Sequence, residues 1–402
     1  MEQTTPIPDT KEIAQKTVFS ILFAIAFAHL FNDLLQAVIP SVYPILKEKY
    51  HLTFTQIGLI TFSYQMAASI LQPLVGMYTD KYPKPYSQIF GMLFTTAGII
   101  SLSMAAHFHM IIISVILVGI GSSIFHPEAS RISFLASGGK RGLAQSIFQL
   151  GGNAGTAIGP LLVALFVVPK GQFYIIGFVA IAILALIVLS RIAIWYQNHL
   201  SLRAQKKAVI VLPDLSQTQI AISVIILLVL IFSKFFYMAS MSSYFTFYLM
   251  QKFQLSVQDA QYHLFLFLAS CAVGTLLGGP LGDKFGRKYV IWFSVLGVAP
   301  FTLLLPYADL FWTGVLSVVI GIIISSAFPA ILVYAQELLP KKLGMVSGLF
   351  YGFAFGMGGL GSAVLGYIAD HTGIEYVYHL CAFLPLIGII AFFLPNLKKK
   401  NQ

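Results

Sequence analysis

Charge is what this sequence has least of. Charged residues make up 9% of its 402 positions and apolar ones 58%, where a soluble domain carries about 25% charged residues. Such a chain has no polar coat for water, which excludes a solvated globular fold and leaves lipid as its solvent. Cysteine is nearly absent: Cys271 and Cys381 each fall inside an apolar run, which argues against a disulfide framework or a cysteine-based metal site. No Gly-x-x-x-x-Gly-Lys string occurs, so the energy source is expected to be an ion gradient or exchange, not ATP. No activated nucleophile with an adjacent base stands at helical spacing, so an enzyme is not expected, and no cofactor is called for. A long polar stretch is missing too, since 197–218 is too short to be a domain.

What the chain has instead is apolar runs. Segments of about 20 residues, long enough to cross a hydrocarbon core of roughly 30 Å, fall near 18–39, 57–79, 86–106, 110–136, 143–168 and 172–196, and again near 219–250, 260–280, 289–306, 311–335, 344–368 and 374–394. The expected fold class is therefore an all-α membrane protein of twelve spans. Its organisation is a six-helix bundle over 1–196, a cytoplasmic linker over 197–218 carrying Arg203, Lys206, Lys207, Pro213 and Asp214, and a second bundle over 219–402. Residues 1–17 are polar and the first apolar run is too long for a signal-peptide core, so the first helix is expected to be retained. With alternate loops assigned to alternate sides, nineteen Lys and Arg fall on the side of the termini and four, Lys47, Lys49, Lys170 and Lys252, fall opposite. Both termini are then cytoplasmic. The net charge of +10 is mostly this topology signal, so it points to no nucleic-acid partner.

The two halves restate one another. Gly76-Met-Tyr-Thr-Asp80-Lys81-Tyr-Pro-Lys84 returns 203 positions later as Gly279-Pro-Leu-Gly-Asp283-Lys284-Phe-Gly-Arg287, and Gly119, Pro127 and Gly142 recur at a spacing of 202 as Gly321, Pro329 and Gly344. Duplicated halves meet at an interface, and in transporters the substrate site lies there, near the bilayer midplane.

Ionisable residues inside a span cost roughly 2.5 to 3.5 kcal/mol on insertion scales and are functional candidates by default. They are Asp33, Glu128, Arg131 and Lys234, with His29 and His126 as further titratable groups. His29, Asn32, Asp33 and Gln36 share one face of span 1 at i, i+3, i+4, i+7, a polar stripe expected to line a cavity. Gln145, Gln149 and Asn153 form an amide ladder on span 5, suited to phosphonate or carboxylate oxygens and equally to bridging helices. Span 7 offers Lys234, Tyr237 and Tyr244, and span 11 offers Ser347, Tyr351 and Phe355. His126 and Glu128 lie about 200° apart on a regular helix, so they have different jobs: Ser122, His126 and Ser130 form one stripe, Phe125, Glu128 and Arg131 another. One His and one Glu are too few ligands for a metal, and none is expected.

The repeated turn resembles the loop signature of the major facilitator superfamily: a Gly, an Asp four later, then basic residues. The second copy fits well, while the first has Pro83 and Lys84 where the signature has Gly and Arg. The resemblance implies a cytoplasmic gate formed by Gly76, Asp80, Lys81, Lys84, Gly279, Asp283, Lys284 and Arg287, with Arg131 beside it. Nearly the whole chain is similar to the fosmidomycin resistance transporters, through His29-Leu-Phe-Asn32-Asp33-Leu-Leu-Gln36, Phe125-His126-Pro127-Glu128-Ala-Ser-Arg131, Gly142-Leu-Ala-Gln145-Ser-Ile-Phe-Gln149-Leu-Gly-Gly-Asn153 and Gly344-Met-Val-Ser-Gly348-Leu-Phe. That resemblance implies a monomeric exporter in the bacterial inner membrane, exchanging protons for small anionic toxic compounds. An uptake carrier for an organic anion metabolite is the alternative. Two departures stand out: Val163 and Ala164 replace the glycine pair that ends the antiporter signature of span 5, and Val115 replaces the Arg of a span 4 signature. Proton coupling is therefore expected at Asp33 and Glu128, with relay to the gate or plain neutralisation of Arg131 as the alternatives for Glu128. Spans 1 and 7 of the superfamily face each other, so Asp33 and Lys234 are expected to form an ion pair that protonation opens to the anion. His29, Asn32, Gln36, His126, Gln145, Gln149, Asn153, Lys234, Tyr237 and Tyr244 are expected to bind substrate.

Overall fold

The computed structural model describes residues 17–203, 215–340 and 342–397, and among these the backbone is helical with no strand. Helices are what lipid demands, because each satisfies its own N–H and C=O groups where no water can. The first half of the chain forms α1 (Phe19–Ser41), α2 (Tyr43–Tyr50), α3 (Phe54–Lys81), α4 (Ser87–Ser103), α5 (Phe108–Ala136), α6 (Arg141–Leu162) and α7 (Val179–Arg203). The second forms α8 (Gln217–Ala239), α9 (Phe245–Phe253), α10 (Val257–Phe285), α11 (Arg287–Leu296), α12 (Ala299–Leu304), α13 (Leu310–Ser325), α14 (Ala327–Leu338), α15 (Leu343–Thr372) and α16 (Ile374–Cys381). The expected linker is shorter than drawn, since α7 runs on to Arg203 and α8 starts at Gln217. Lys206, Lys207, Pro213 and Asp214 lie outside the described residues, as do Lys11, Lys16, Lys341 and Lys398 to Lys400.

Ten segments among the described residues are long and apolar enough to cross a bilayer. The other two expected spans are also helices: α4 is apolar but has 17 residues, and α3 has 28. Gln56, Gln65 and Gln72 interrupt the apolar surface of α3. The reason is its position, for α3 packs along its length against α15 and buries Thr61 and Gln72. A helix sheltered by protein on its polar side needs no lipid-compatible surface there. α1 shows the complementary pattern: Phe19, Phe23 and Phe27, four residues apart, are exposed, while His29, Asn32 and Gln36 are buried. An apolar stripe left uncovered on this scale would mark an interaction surface in a soluble protein; here it faces acyl chains.

Two long seams join the halves of the chain, α3 against α15 and α6 against α10. The repeated turn follows α3 and α10, so one end of both seams is the turn end. Two π-helical turns, Val163–Val167 after α6 and Ser240–Tyr244 after α8, shift the facing of the residues that follow them.

Candidate substrate cavity and its closures

Between the two seams lies a cavity of about 170 Å³. One wall comes from α1, α5 and α6 through His29, Asp33, His126, Gln149, Asn153 and Thr156. The other comes from the second half through Lys234, Phe235, Met238, Cys271, Thr275, Phe328, Tyr351 and Phe355, among others.

The first wall centres on Asp33, 15% exposed, with His29 Nε2 at 3.1 Å and His126 Nε2 at 3.4 Å from its two oxygens. Asn32 Nδ2 donates to Oδ1 at 3.0 Å. The outer ring nitrogens are committed elsewhere: His29 Nδ1 lies 2.8 Å from the Phe148 carbonyl and His126 Nδ1 lies 3.0 Å from the Ser122 carbonyl. A carbonyl oxygen only accepts, so both Nδ1 atoms carry hydrogens. Each Nε2 then meets a carboxylate oxygen, and each of those contacts is attractive only with a proton between the two atoms. Asp33 is thus the shared partner of two imidazoles that come from different helices. His29 stacks on Phe148 at 4.1 Å, and His126 meets Phe355 edge-on at 5.0 Å, which fixes both ring planes. Among the described residues His29, Asp33 and His126 also form a group that could hold a metal ion, their donor atoms lying within 4.8 Å of one another, a grouping that helical spacing along single spans does not show.

The second wall centres on Lys234, 5% exposed. Its ammonium lies 5.4 Å from the Phe328 ring and 5.6 Å from that of Phe235, contacts worth up to about 2 kcal/mol when desolvated. Among the described residues no carboxylate lies within 4.0 Å of it. The expected Asp33–Lys234 ion pair is thus not formed. The two share one cavity, but the imidazoles of α1 and α5 have taken the carboxylate.

Five of the ten expected substrate residues line the cavity: His29, His126, Gln149, Asn153 and Lys234. The other five do not. Gln36 accepts from Tyr64 and Ser122 deeper among α1, α3 and α5, and Asn32 supports Asp33. Gln145 donates to the Tyr351 hydroxyl at 3.0 Å, which donates to Gln149 at 2.8 Å. Asn153 donates to Thr275 at 2.5 Å. The amide ladder therefore ties α6 to α15 and α10. Tyr237 is buried away from the cavity, and Tyr244, past the π-turn, donates to the Ser362 carbonyl at 2.6 Å. Sequence reading missed Thr275, Cys271 and Phe328, which helical spacing alone did not separate from packing residues.

Glu128, 1% exposed, lies outside the cavity and pairs with Arg131 at 3.2 Å. Arg131 also donates to the Thr79 carbonyl and pairs with Asp80. Asp80 accepts from the backbone N–H groups of Gly344 and Met345 at 3.2 and 2.9 Å, so a chain of charges runs from α5 to the start of α15. Arg287 pairs with Asp283 at 3.1 Å and Glu337 at 2.8 Å, and the Asp283 carboxylate lies against Gly142 at the start of α6. A Cβ added at Gly76 would strike the Gly344 backbone, and one at Gly279 would strike Ser146 and Gly142. These crossings are where glycine is required. Lys81 and Lys284 lie over the rings of Tyr82 and Phe285, and Lys84 is exposed; among the described residues none of the three has a carboxylate within 4.0 Å.

A cavity between two helix seams, charged inside an apolar body and bridged at the turn end, is the construction of a multi-pass membrane transporter and not of an enzyme. The chain matches the Major Facilitator Superfamily over residues 25–260 and 226–402. It is 57% identical over 403 residues to the fosmidomycin resistance protein of Escherichia coli (strain K12), covering 100% of this chain and 99% of that one. It is 44% identical over 406 residues to the uncharacterized MFS-type transporter YfnC of Bacillus subtilis (strain 168), covering 100% and 97%. Its fold is similar to that of FucP, a superfamily transporter in the outward conformation, with a TM-score of 0.67 at 16% identity over 95% of this chain and 100% of FucP. The chain belongs to the major facilitator superfamily, among the fosmidomycin resistance transporters.

Proposed function

We propose that this transporter exports small anionic toxic compounds such as fosmidomycin across the bacterial inner membrane in exchange for protons. It does so as a monomer of twelve spans in two six-helix bundles, 1–196 and 219–402, with both termini cytoplasmic, by alternating access. The observation that carries the reading is one cavity holding a lysine with no carboxylate within 4.0 Å among the described residues, opposite a carboxylate that lies against two imidazoles. Lys234 takes the anion, with Phe235 and Phe328 against its apolar part. Protons ride on Asp33 with His29 and His126, while Glu128 links the cavity helix α5 to the closure at the turn end. The 57% identity to a fosmidomycin resistance protein supports the choice of drug.

In strict exchange the two cargoes travel in alternate half-cycles: the anion offsets Lys234 on the way out, and the protonated cluster leaves no bare carboxylate on the way back. One feature of the cavity favours a second reading, uptake of an organic anion together with protons. With both imidazoles protonated, the cluster and Lys234 are both positive, so proton and anion favour each other's binding. Flux of fosmidomycin in proteoliposomes with an imposed pH gradient separates the two. Export by exchange predicts drug movement against the proton flow and co-transport predicts movement with it, while flux indifferent to the gradient removes both.

A further inference from the structure

The end opposite the repeated turn is also bridged. Asp370, in the last turn of α15, accepts from the backbone N–H groups of Phe54 and Thr55 at 3.0 and 2.8 Å and from the Thr55 hydroxyl at 2.5 Å. Those N–H groups are the first two of α3, and the third, of Gln56, is taken by Thr53 in a capping box. At the turn end the roles are reversed, because Asp80 in the last turn of α3 caps Gly344 and Met345 at the start of α15. Each helix therefore caps the other, and the separation of cap from capped residue is 26 positions in both, Phe54 to Asp80 and Gly344 to Asp370. An acidic side chain in a helix's last turn opposes its own macrodipole, whereas at another helix's N-terminus it is favoured. The placement of both carboxylates thus makes sense only across the seam.

The second seam lacks this symmetry. At the turn end Asp283 lies against the start of α6, answering Asp80. At the far end α10 is capped by its own Ser256, and the position that answers Asp370 in the repeat, 202 residues earlier, is Val168, just past the π-turn that follows α6. Near the start of α10 the halves also meet through a neutral contact to α1, Gln261 Nε2 to the Ser41 carbonyl at 2.9 Å.

We propose that Asp370 is the latch of the second gate: its bonds to the start of α3 hold the end opposite the repeated turn closed, and breaking them opens that end. Among the described residues two carboxylates, Asp80 and Asp283, meet helix starts across the turn end and one, Asp370, does so across the far end, so the far end is the one a single event releases. Among the described residues the positive side chain acting on this latch is Lys47, which is tied to the Leu52 carbonyl and lies over the Phe54 ring at 4.5 Å. This inference needs alternating access but no substrate assignment.

Spin-label pairs on the full chain in detergent or proteoliposomes test it, with buried Cys271 and Cys381 left in place. One pair, at Glu48→Cys and Thr372→Cys, spans the far end; the other, at Tyr82→Cys and Lys342→Cys, spans the turn end. In Asp370→Asn the ratio of open to closed distances at the far end is expected to rise roughly tenfold, as charge-assisted hydrogen bonds become neutral ones, with the turn-end pair unchanged. Asp80→Asn is expected to do the reverse. A far-end distribution like that of the unaltered protein, or widening confined to the turn end, overturns the proposal. Should Asp370→Asn not fold, Thr55→Val, which keeps the Thr53 cap, is expected to give a smaller shift in the same direction, and no shift there is equally decisive. The labels read conformation without drug or gradient, so this outcome and that of the flux experiment are independent.

Discussion

The two walls of the cavity come from halves that answer each other along the chain, and they carry opposite chemistry. Asp33 of α1 and Lys234 of α8 sit at nearly equivalent places in the repeat. Around Asp33 the protein has gathered two imidazoles and an amide; around Lys234 it has gathered two phenyl rings and no acid among the described residues. The closures differ far less: Asp80 and Asp283 each meet the start of a helix in the other half, and Gly76 and Gly279 each cross a glycine there. The repeated closures have stayed alike in the two halves, while the two cavity walls have diverged. One wall presents a carboxylate between two imidazoles, and the other a lysine beside two phenyl rings.

That contrast is open to breaking. Lys234→Ala should have the largest effect, a fall of about 30-fold or more in gradient-driven flux of an anionic drug, the scale expected when a buried charge loses its role in a charge pair. Unaltered flux would remove the lysine wall from the site. Next, Asp33→Asn should leave drug binding in place, measured by equilibrium binding to purified protein, while flux loses roughly tenfold and ceases to respond to the pH gradient. If the Asp33 wall is the proton wall, flux in the unaltered protein should depend on the imposed pH gradient. His126→Gln should flatten that dependence, and retention of the full pH profile would take His126 out of the proton wall.

Smaller effects probe the part of the comparison where the halves agree. Gly76→Ala and Gly279→Ala should destabilise the purified protein alike, by about 1 to 3 kcal/mol each, read as matched drops in thermal midpoint. A large effect at one and none at the other would mean the closures have diverged as the walls have. Gln145→Leu, losing one hydrogen bond across a seam to Tyr351, should cost about 1 kcal/mol and leave the gradient response intact.

Much of this was legible in the chain, residue by residue. The polar stripe His29, Asn32, Asp33, Gln36 was readable from its spacing, and its burial against the exposed Phe19, Phe23 and Phe27 follows from the same periodicity. The split between His126 and Glu128 was readable too, since two residues apart on a helix means opposite faces, and the first lines the cavity while the second joins Arg131. Tyr244 was not, because the π-turn at Ser240–Tyr244 resets the facing that regular spacing assumes. Asp370 went unread although it carries a signal of its own, an acid in a helix's last turn.

The sequence by itself determined the solvent, the helices, the duplication and the short list of ionisable residues, because lipid penalises every polar group and so makes each one conspicuous. Only the tertiary structure decided the partners. The sequence offered Asp33 a lysine as its partner, and the choice of two histidines instead fell to the approach of α1 and α5 and to the backbone carbonyls of Phe148 and Ser122, which turn both imidazoles toward it. Pairing of charges depends on a few ångströms between helices distant in sequence, and no periodicity along one helix contains that distance.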